Sequence, residues 1–503
     1  MPTQRDILLT TLNARYMHTA FGLRYLYANL GDIQKRAELI EFTIQEKPLN
    51  IAEQLLQFEP RLIGFSVYIW NVAEITDTVA LLKQIAPDIT IVLGGPEVSH
   101  HPDLPAVCEL ADYVISGQGE LSFPELCHQI LAGRPPAQKF IQGRAPSLEA
   151  LELPYRYYSD EDIRNRLIYV EASRGCPFKC EFCLSALDKT ATPFPLTAFL
   201  QEMDLLWQRG VRNFKFIDRT FNLKVSTSIA ILEFFLARMS DDLYLHFEVV
   251  PDNLPDKLKT VLKRFPPNSL QFEIGIQTFD PEIQTRISRK QNNDKTRDNI
   301  LWLRQHTGAH LHTDLIFGLP GDTLANFADS FNQLVALNPH EIQLGILKRL
   351  RGAPLNRHNS HYDLRFNPQP PYNILSTSTV DFLTMQRVNR FARFWDMIGN
   401  SGRFLNTLPL ILGDAPFDRF MRLSDKLYAL AGRSHKIALK RLFEMIYVVL
   451  TDEFGMPVDR VKSQLKLDYA RAEIKGLPDY EKLPGLTRKS RAGVANKRQL
   501  YHQ

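Results

Sequence analysis

Arg174-Gly175-Cys176-Pro177-Phe178-Lys179-Cys180-Glu181-Phe182-Cys183 places three of the chain's five cysteines in a C-x3-C-x2-C spacing, directly after an apolar run at Leu167–Glu171. Three thiolates on one short loop can wrap a metal centre, and soft sulfur ligands select an iron–sulfur cluster or zinc. The fourth ligand separates the two. A structural zinc site wants a further Cys or His close by, and no His occurs between His128 and His246. A ferredoxin-type cluster wants a fourth Cys, but Cys108 and Cys127 stand well upstream in helical stretches and read as small buried apolar residues. Cys176, Cys180 and Cys183 with one open iron is the reading that fits, because an open iron can bind a substrate or cofactor directly. Structural zinc is the alternative.

Working outward from this loop, short apolar runs alternate with helical patterns on both sides, which argues for α/β architecture with parallel sheets. Upstream, the expected strands are Asp6–Leu12, Glu38–Ile44, Leu62–Tyr68, Thr90–Leu93 and Tyr113–Ser116. Several end in small residues, Ser66, Gly94, Gly95, Gly117 and Gly119, at the carboxyl edge where open α/β sheets bind ligands. Downstream, strands are expected at Phe214–Ile217, Tyr244–Val249, Leu270–Ile276, His312–Phe317 and Glu341–Leu347, with helical patterns such as Pro195–Gln208 and Ile229–Arg238 between them. This series fits a partial or full (β/α) barrel. The expected organisation is a first domain at 1–135, a Gly/Pro-bearing linker at 136–165, a barrel at 166–375, a helical domain at 376–483 and a basic, disordered tail at 484–503.

In the helical region Val380, Leu383, Val388, Phe391, Trp395 and Ile398 approximate one face, with caps expected between Ser376 and Thr379. The aromatic stripe of Phe391, Phe394 and Trp395 reads as core packing, with closure of the barrel mouth as the alternative. The net charge of +4 over 503 residues gives no strong field toward nucleic acid or anionic lipid. The apolar run Ile7–Leu12 is too short for a signal or membrane segment, so the expectation is a cytoplasmic protein with free thiols and no membrane or nucleic-acid partner.

The C-x3-C-x2-C loop, with Phe182 before its last Cys and Ser173-Arg174-Gly175 before its first, resembles the signature of radical S-adenosylmethionine enzymes. The likeness covers about residues 166–360. It implies a [4Fe-4S] cluster on the three cysteines, reductive cleavage of S-adenosylmethionine at the open iron, and a 5′-deoxyadenosyl radical that abstracts hydrogen from a substrate. Phe216-Ile217-Asp218-Arg219-Thr220-Phe221, Glu273-Ile274-Gly275-Ile276-Gln277-Thr278 and His312-Thr313-Asp314-Leu315-Ile316-Phe317-Gly318-Leu319-Pro320-Gly321 resemble that family's cofactor-facing strand ends. The resemblance therefore implies that Phe182, Asp218, Glu273, Gln277, Asp314 and Gly318 meet S-adenosylmethionine. From the residues alone, Asp218 also reads as a helix cap, and Glu273 and Gln277 as inward polar residues satisfied by their neighbours.

Residues 5 to 130, with their successive small-residue turns, resemble the cobalamin-binding domain that precedes many such enzymes. The resemblance implies cobalamin on Ser66, Gly94, Gly95, Gly117 and Gly119. The Asp-x-His-x-x-Gly motif, which supplies a lower axial histidine in other cobalamin proteins, is missing; His18, His100 and His101 read as loop histidines. The expected fold is thus a Rossmann-like cobalamin-binding-type domain, a partial (β/α) radical barrel and a mainly helical C-terminal region. The expected function is a cobalamin-dependent radical enzyme, with methyl transfer to an unactivated carbon as its reaction, a small-molecule substrate, and flavodoxin or ferredoxin as electron donor. Alternatives are a cyclase or rearrangement enzyme, a radical enzyme whose first domain holds no corrinoid, and a non-catalytic cobalamin or redox sensor. A methylthiotransferase needs a second cysteine triplet, which two separated cysteines cannot supply.

Overall fold

The computed structural model describes residues 4–474, so the expected tail at 484–503 and the end of the helical region lie outside the described residues. The chain forms two compact units. The first comprises Met1–Glu248, Lys348–Arg357 and Phe366–Asn373, and the second Val249–Leu347, His358–Arg365 and Ile374–Gln503.

The first unit opens with six parallel strands: β1 (Ile7–Asn13), β2 (Ala37–Thr43), β3 (Leu62–Ser66), β4 (Thr90–Gly94), β5 (Tyr113–Ser116) and β6 (Phe140–Gln142). Their order is β2-β1-β3-β4-β5-β6. Every residue of β1 is buried, as expected of a central strand with helices on both faces, whose sequence runs continuously apolar rather than alternating. Helices Pro48–Leu56 and Val72–Ile85 cover one face through Ile51, Leu55, Ile75, Val79 and Leu82. Helix Ser122–Leu131 covers the other through Phe123, Leu126 and Ile130. The chain reverses its direction of strand addition between β1 and β3, and that switch leaves a crevice at the carboxyl edge.

The 136–165 stretch, expected as a linker, contributes more than a connection. Phe140–Gln142 pairs with β5 as the sheet's last strand, and Asp160–Asn165 is a helix started by a capping box between Ser159 and Asp162. Three residues are too few to show period-two alternation, which is why the sequence hid β6.

Strands β7 (Ile168–Val170), β8 (Ser173–Arg174), β9 (Thr192–Pro193), β10 (Asn213–Phe216) and β11 (Tyr244–Val249) follow. β10 pairs in parallel with β7 and with β11, while β8 and β9 form a short antiparallel ladder. Behind β10, Phe216 packs edge-on to Phe199 and Phe235 from helices Leu196–Gln208 and Val225–Leu236.

In the second unit β12 (Leu270–Gln277), β13 (His310–Phe317) and β14 (Glu341–Ile346) pair in parallel. Along β12 and β13 buried apolar residues alternate with half-buried Glu273, Gly275, Gln277, His312 and Asp314. One face is therefore under helices and the other is left polar. Helix Phe382–Ile398 begins at Asp381, whose carboxylate accepts from the Thr384 amide at 2.7 Å. The cap thus falls after the expected Ser376–Thr379, because Thr377 is engaged with the Thr379 and Val380 amides in a turn of its own. Phe391 and Phe394 are fully buried and Trp395 nearly so, the former and latter packed on Phe331 and Phe420. The stripe is core.

Candidate active site

A cavity of about 400 Å³ lies within the first unit. Its floor is the carboxyl edge of β3, β4 and β5, where Ser66, Gly94, Gly95, Gly117 and Gly119 all line it. Leu9, Leu23, Leu26, Phe65 and Phe123 supply apolar walls. The remaining wall comes from the cysteine loop and its neighbours: Glu171, Ser173, Arg174, Gly175, Ser185, Asp188, Ile217 and Arg219. The small residues of the first domain and the residues immediately before Cys176 therefore face one space. None of the lining residues is a histidine.

The floor is open because it has no side chains to fill it. At Gly95 the backbone has φ +104°, and an added Cβ would lie 2.5 Å from the Val67 carbonyl oxygen. Only glycine serves there. A flat, broad ligand can lie against such an edge without displacing side chains, so the cradle fits a corrin ring.

The cysteine loop is closed at its base by the β8–β9 ladder and by the Cys176 amide, which donates to Asp188 O at 3.1 Å. Gly175, at φ +90°, passes so close to Thr190 that a Cβ would run into its carbonyl. Within the loop the Cys183 amide donates to Cys180 O and the Ala186 amide to Cys183 O, so the last two cysteines share one tight turn. Burial pushes the Cys176 thiol up, and Cys183 and Cys180 add to the rise. Among the described residues no three His, Cys, Asp or Glu side chains are gathered closely enough to hold a metal ion. The donor set fits a cluster with one open position. Cys108 and Cys127 cannot complete it, being buried in the two apolar cores of the first sheet, where burial pushes Cys108 up to about 11 and Cys127 higher still.

Arg174 ties the loop to the glycine edge. Its Nε donates to Glu171 at 2.9 Å and one terminal nitrogen to Glu120 at 2.6 Å, while the guanidinium lies 4.4 Å from the centre of the Tyr25 ring. Burial opposes its charge, but Glu171 and Glu120 hold its pKa above the ordinary value. Arg174 stands in the signature with no role of its own there; its partner Glu120 lies 54 residues away, beyond any local pattern.

Of the residues expected at S-adenosylmethionine, Phe182 and Asp218 belong to the first unit. Phe182 is half-buried in the cysteine turn. Asp218 does not cap a helix: its carboxylate accepts from the Ala172 amide at 2.9 Å and the Ser173 hydroxyl at 2.6 Å, and burial pushes it up to about 6. It braces the strand end that leads into the cysteines. Glu273, Gln277, Asp314 and Gly318 belong to the second unit, on the polar face of β12 and β13 and in the turn that follows. Glu273 stands beside His312 in the ladder. Burial works against the His312 imidazolium, but the Asp314 carboxylate outweighs it and raises the pKa to about 9. Gln277 sits at φ +70° after a register shift, with a buried Oε1 that has no hydrogen-bond partner.

The histidines behave as loop residues. His18 Nδ1 is 2.6 Å from the Tyr169 hydroxyl, outside the cavity lining. His100 lies against Gly352. His101 is edge-on to Phe140.

Comparison with known proteins adds the decisive finding. Residues 7–127 match the model of the B12 binding domain, and residues 170–334 match that of the Radical SAM superfamily. The chain belongs to the radical S-adenosylmethionine enzymes that carry a cobalamin-binding domain. The family's cofactors are a [4Fe-4S] cluster, S-adenosylmethionine and cobalamin. Residues 360–500 match a family described only as a protein of unknown function, DUF4080.

Among curated relatives, an uncharacterized methyltransferase of Pyrococcus horikoshii is 24% identical over 329 residues, covering 60% of this chain and 70% of that protein. The cobalamin-dependent radical SAM methyltransferase TokK of Streptomyces tokunonensis is 26% identical over 358 residues, covering 62% of this chain but only 51% of TokK. Among solved structures, the cobalamin-dependent S-adenosylmethionine radical enzyme OxsB superposes with a TM-score of 0.63 at 13% identity, over 93% of this chain and 84% of that one. The radical S-adenosylmethionine methyltransferase TsrM of Kitasatospora setae gives 0.57 at 19% identity, over 70% and 75%. At such identities the structures establish the shared fold. No helix among the described residues is long and apolar enough to cross a membrane.

Proposed function

We propose that this family member is a methyltransferase that places a methyl group on an unactivated carbon of a small molecule. The observation that carries the reading is the single cavity lined both by the glycine edge of the B12 domain and by Arg174 and Gly175 beside Cys176. When bound, the cofactors supply a methyl group carried on cobalt and a 5′-deoxyadenosyl radical from reductive cleavage of S-adenosylmethionine. The chain's residues do the holding. Cys176, Cys180 and Cys183 would ligate three irons and leave the fourth open. Ser66, Gly94, Gly95, Gly117 and Gly119 would take the corrin edge, in a lining that offers no histidine. Phe182, beside Cys183, would meet S-adenosylmethionine, and Asp218 would brace the strand end that leads into the cysteines. Leu9, Leu23, Leu26, Phe65 and Phe123 give the cavity apolar walls, which would help exclude water.

Reductive cleavage needs a low-potential donor, for which flavodoxin or ferredoxin is the proposed source, and the thiols need a reducing compartment, for which the cytoplasm is proposed. The test is protein purified without oxygen from cells supplied with cobalamin. About one corrinoid and about four irons per chain, with release of both 5′-deoxyadenosine and S-adenosylhomocysteine, would support the reading. A full iron content without corrinoid would overturn its cobalamin half.

A further inference from the structure

Arg174 is one link between the cysteine loop and the first domain; the segment Lys348–Arg357 makes a second, through a part of the chain far from both. Arg357 makes a two-pronged pair with Glu181, Nε to Oε2 at 2.9 Å and a terminal nitrogen to Oε1 at 2.6 Å. Glu181 lies between Cys180 and Phe182, its side chain is only 6% exposed, and its backbone carbonyl accepts from the Leu355 amide at 2.9 Å. The segment thus grips the tight turn that carries Cys180 and Cys183 by side chain and backbone together.

Six residues earlier, Arg351 reaches the other loop. Its Nε donates to Glu97 at 2.8 Å, one terminal nitrogen pairs with Asp103, and the other donates to the Tyr372 hydroxyl at 3.1 Å. Glu97 and Arg351 are almost fully enclosed, at 3% and 10% exposure. Arg349 adds a second pair to Asp103, and Gly352 leaves room for the His100 ring. Residues 97–103 continue directly from Gly94 and Gly95, the floor of the cavity. The segment itself is stiffened by the Arg349 amide, which donates to Tyr372 O at 3.0 Å, and by a bridge between Lys348 and Asn373.

We propose that Lys348–Arg357 is a strap that fixes the cysteine turn relative to the glycine edge, with Arg357 and Arg351 as positioning residues at its two ends. This inference rests on the reading that both loops serve one reaction, because a methyl group and a radical delivered to one substrate need cofactors held at a set distance. Neither arginine lines the cavity; each acts through the loop it holds. A planar guanidinium suits both ends, since lysine cannot span two carboxylate oxygens or bridge two acids and a phenol in the same way.

The experiment is amide hydrogen exchange across residues 94–103 and 176–188 in the full chain, purified without oxygen and reconstituted with iron, sulfide and cobalamin, for wild type, Arg357→Met, Arg357→Lys and Arg351→Met. If the strap transmits position, loosening one end is felt at the other. Arg357→Met should speed exchange in 94–103 by about tenfold and Arg351→Met should do the same in 176–188, with Arg357→Lys intermediate. The electron paramagnetic resonance signal of the reduced cluster should also broaden in Arg357→Met while iron content stays at the wild-type level. Faster exchange confined to the loop each arginine touches, or none at all, would overturn the strap. Should a variant fold poorly, Glu181→Gln tests the same joint from the other side, with the same remote effect expected. Iron and corrinoid content of the wild-type protein reports on the functional reading by itself, so wild type without corrinoid but with remote exchange effects in the variants would sink that reading and leave the strap standing.

Discussion

At the scale of single residues, the cysteine loop has no reserve. Cys108 and Cys127 are locked in apolar cores, so Cys176→Ala, Cys180→Ala and Cys183→Ala should each abolish cluster assembly and 5′-deoxyadenosine formation. Iron analysis and product chromatography check this, and one variant with full iron and turnover would refute the ligand assignment. The floor glycines allow a finer test because they differ in what surrounds them. A Cβ at Gly95 would strike the Val67 backbone, whereas at Gly94 the nearest atom is Ile115 O at 3.9 Å. Gly95→Ala should therefore destabilise the fold, by about 1–3 kcal/mol. Gly94→Leu should leave the melting temperature close to wild type, since its side chain would project into the cavity, and should lower corrinoid content. Loss of stability in both, with corrinoid retained in Gly94→Leu, would mean that the floor serves packing alone.

At the scale of elements, the first domain is fastened by a buried square of charge. Arg24 of helix Phe21–Ala28 pairs with Glu41 of β2 at 2.6 Å and with Asp162 of helix Asp160–Asn165 at 2.7 Å. Arg166 pairs with the same two acids at 2.8 Å each. All four side chains are under 10% exposed, and Glu41 also accepts from the Ala20 amide and Asn13. Two positive and two negative charges balance, so removing one leaves an uncompensated buried charge. Glu41→Gln should cost about 3–5 kcal/mol, read as a shift in the urea midpoint. Burial opposes ionisation of both acids, but Arg24 and Arg166 overcome it and hold Glu41 and Asp162 below their ordinary values of 4.5 and 3.8. Groups depressed in this way stabilise fully above those ordinary values, and the contribution is lost as pH falls through the lower folded-state values. Wild-type stability should accordingly fall steeply below about pH 4.5, and Glu41→Gln should show a shallower acid limb. Equal slopes would mean that the square does not govern acid unfolding.

At the scale of the whole molecule, what the sequence made legible follows from the range of each signal. The apolar runs behind β1, β3, β4 and β5 are local, and those strands emerged where expected; the spacing of Cys176, Cys180 and Cys183 is a local signal too. The grip of Arg357 on Glu181 spans 176 residues and that of Arg351 on Glu97 spans 254; no periodicity encodes them. The same limit bears on the first-domain boundary, which composition alone puts at residue 135. Beyond that point lie β6, which pairs with the edge of β5, and Asp162 and Arg166, which complete the charge square around Arg24 and Glu41. A fragment of residues 1–135 would therefore expose a bare strand edge and leave Arg24 and Glu41 with half their partners, whereas 1–170 contains both. Loss of even one partner of a buried pair costs several kcal/mol, and an uncovered edge invites aggregation. The shorter fragment should be recovered largely as aggregate and the longer one as a monomer with a cooperative thermal transition, resolved by size-exclusion chromatography and calorimetry. Equal solubility and equal melting temperatures would place the boundary at 135 after all and reduce the square to a contact between neighbours that fold without it.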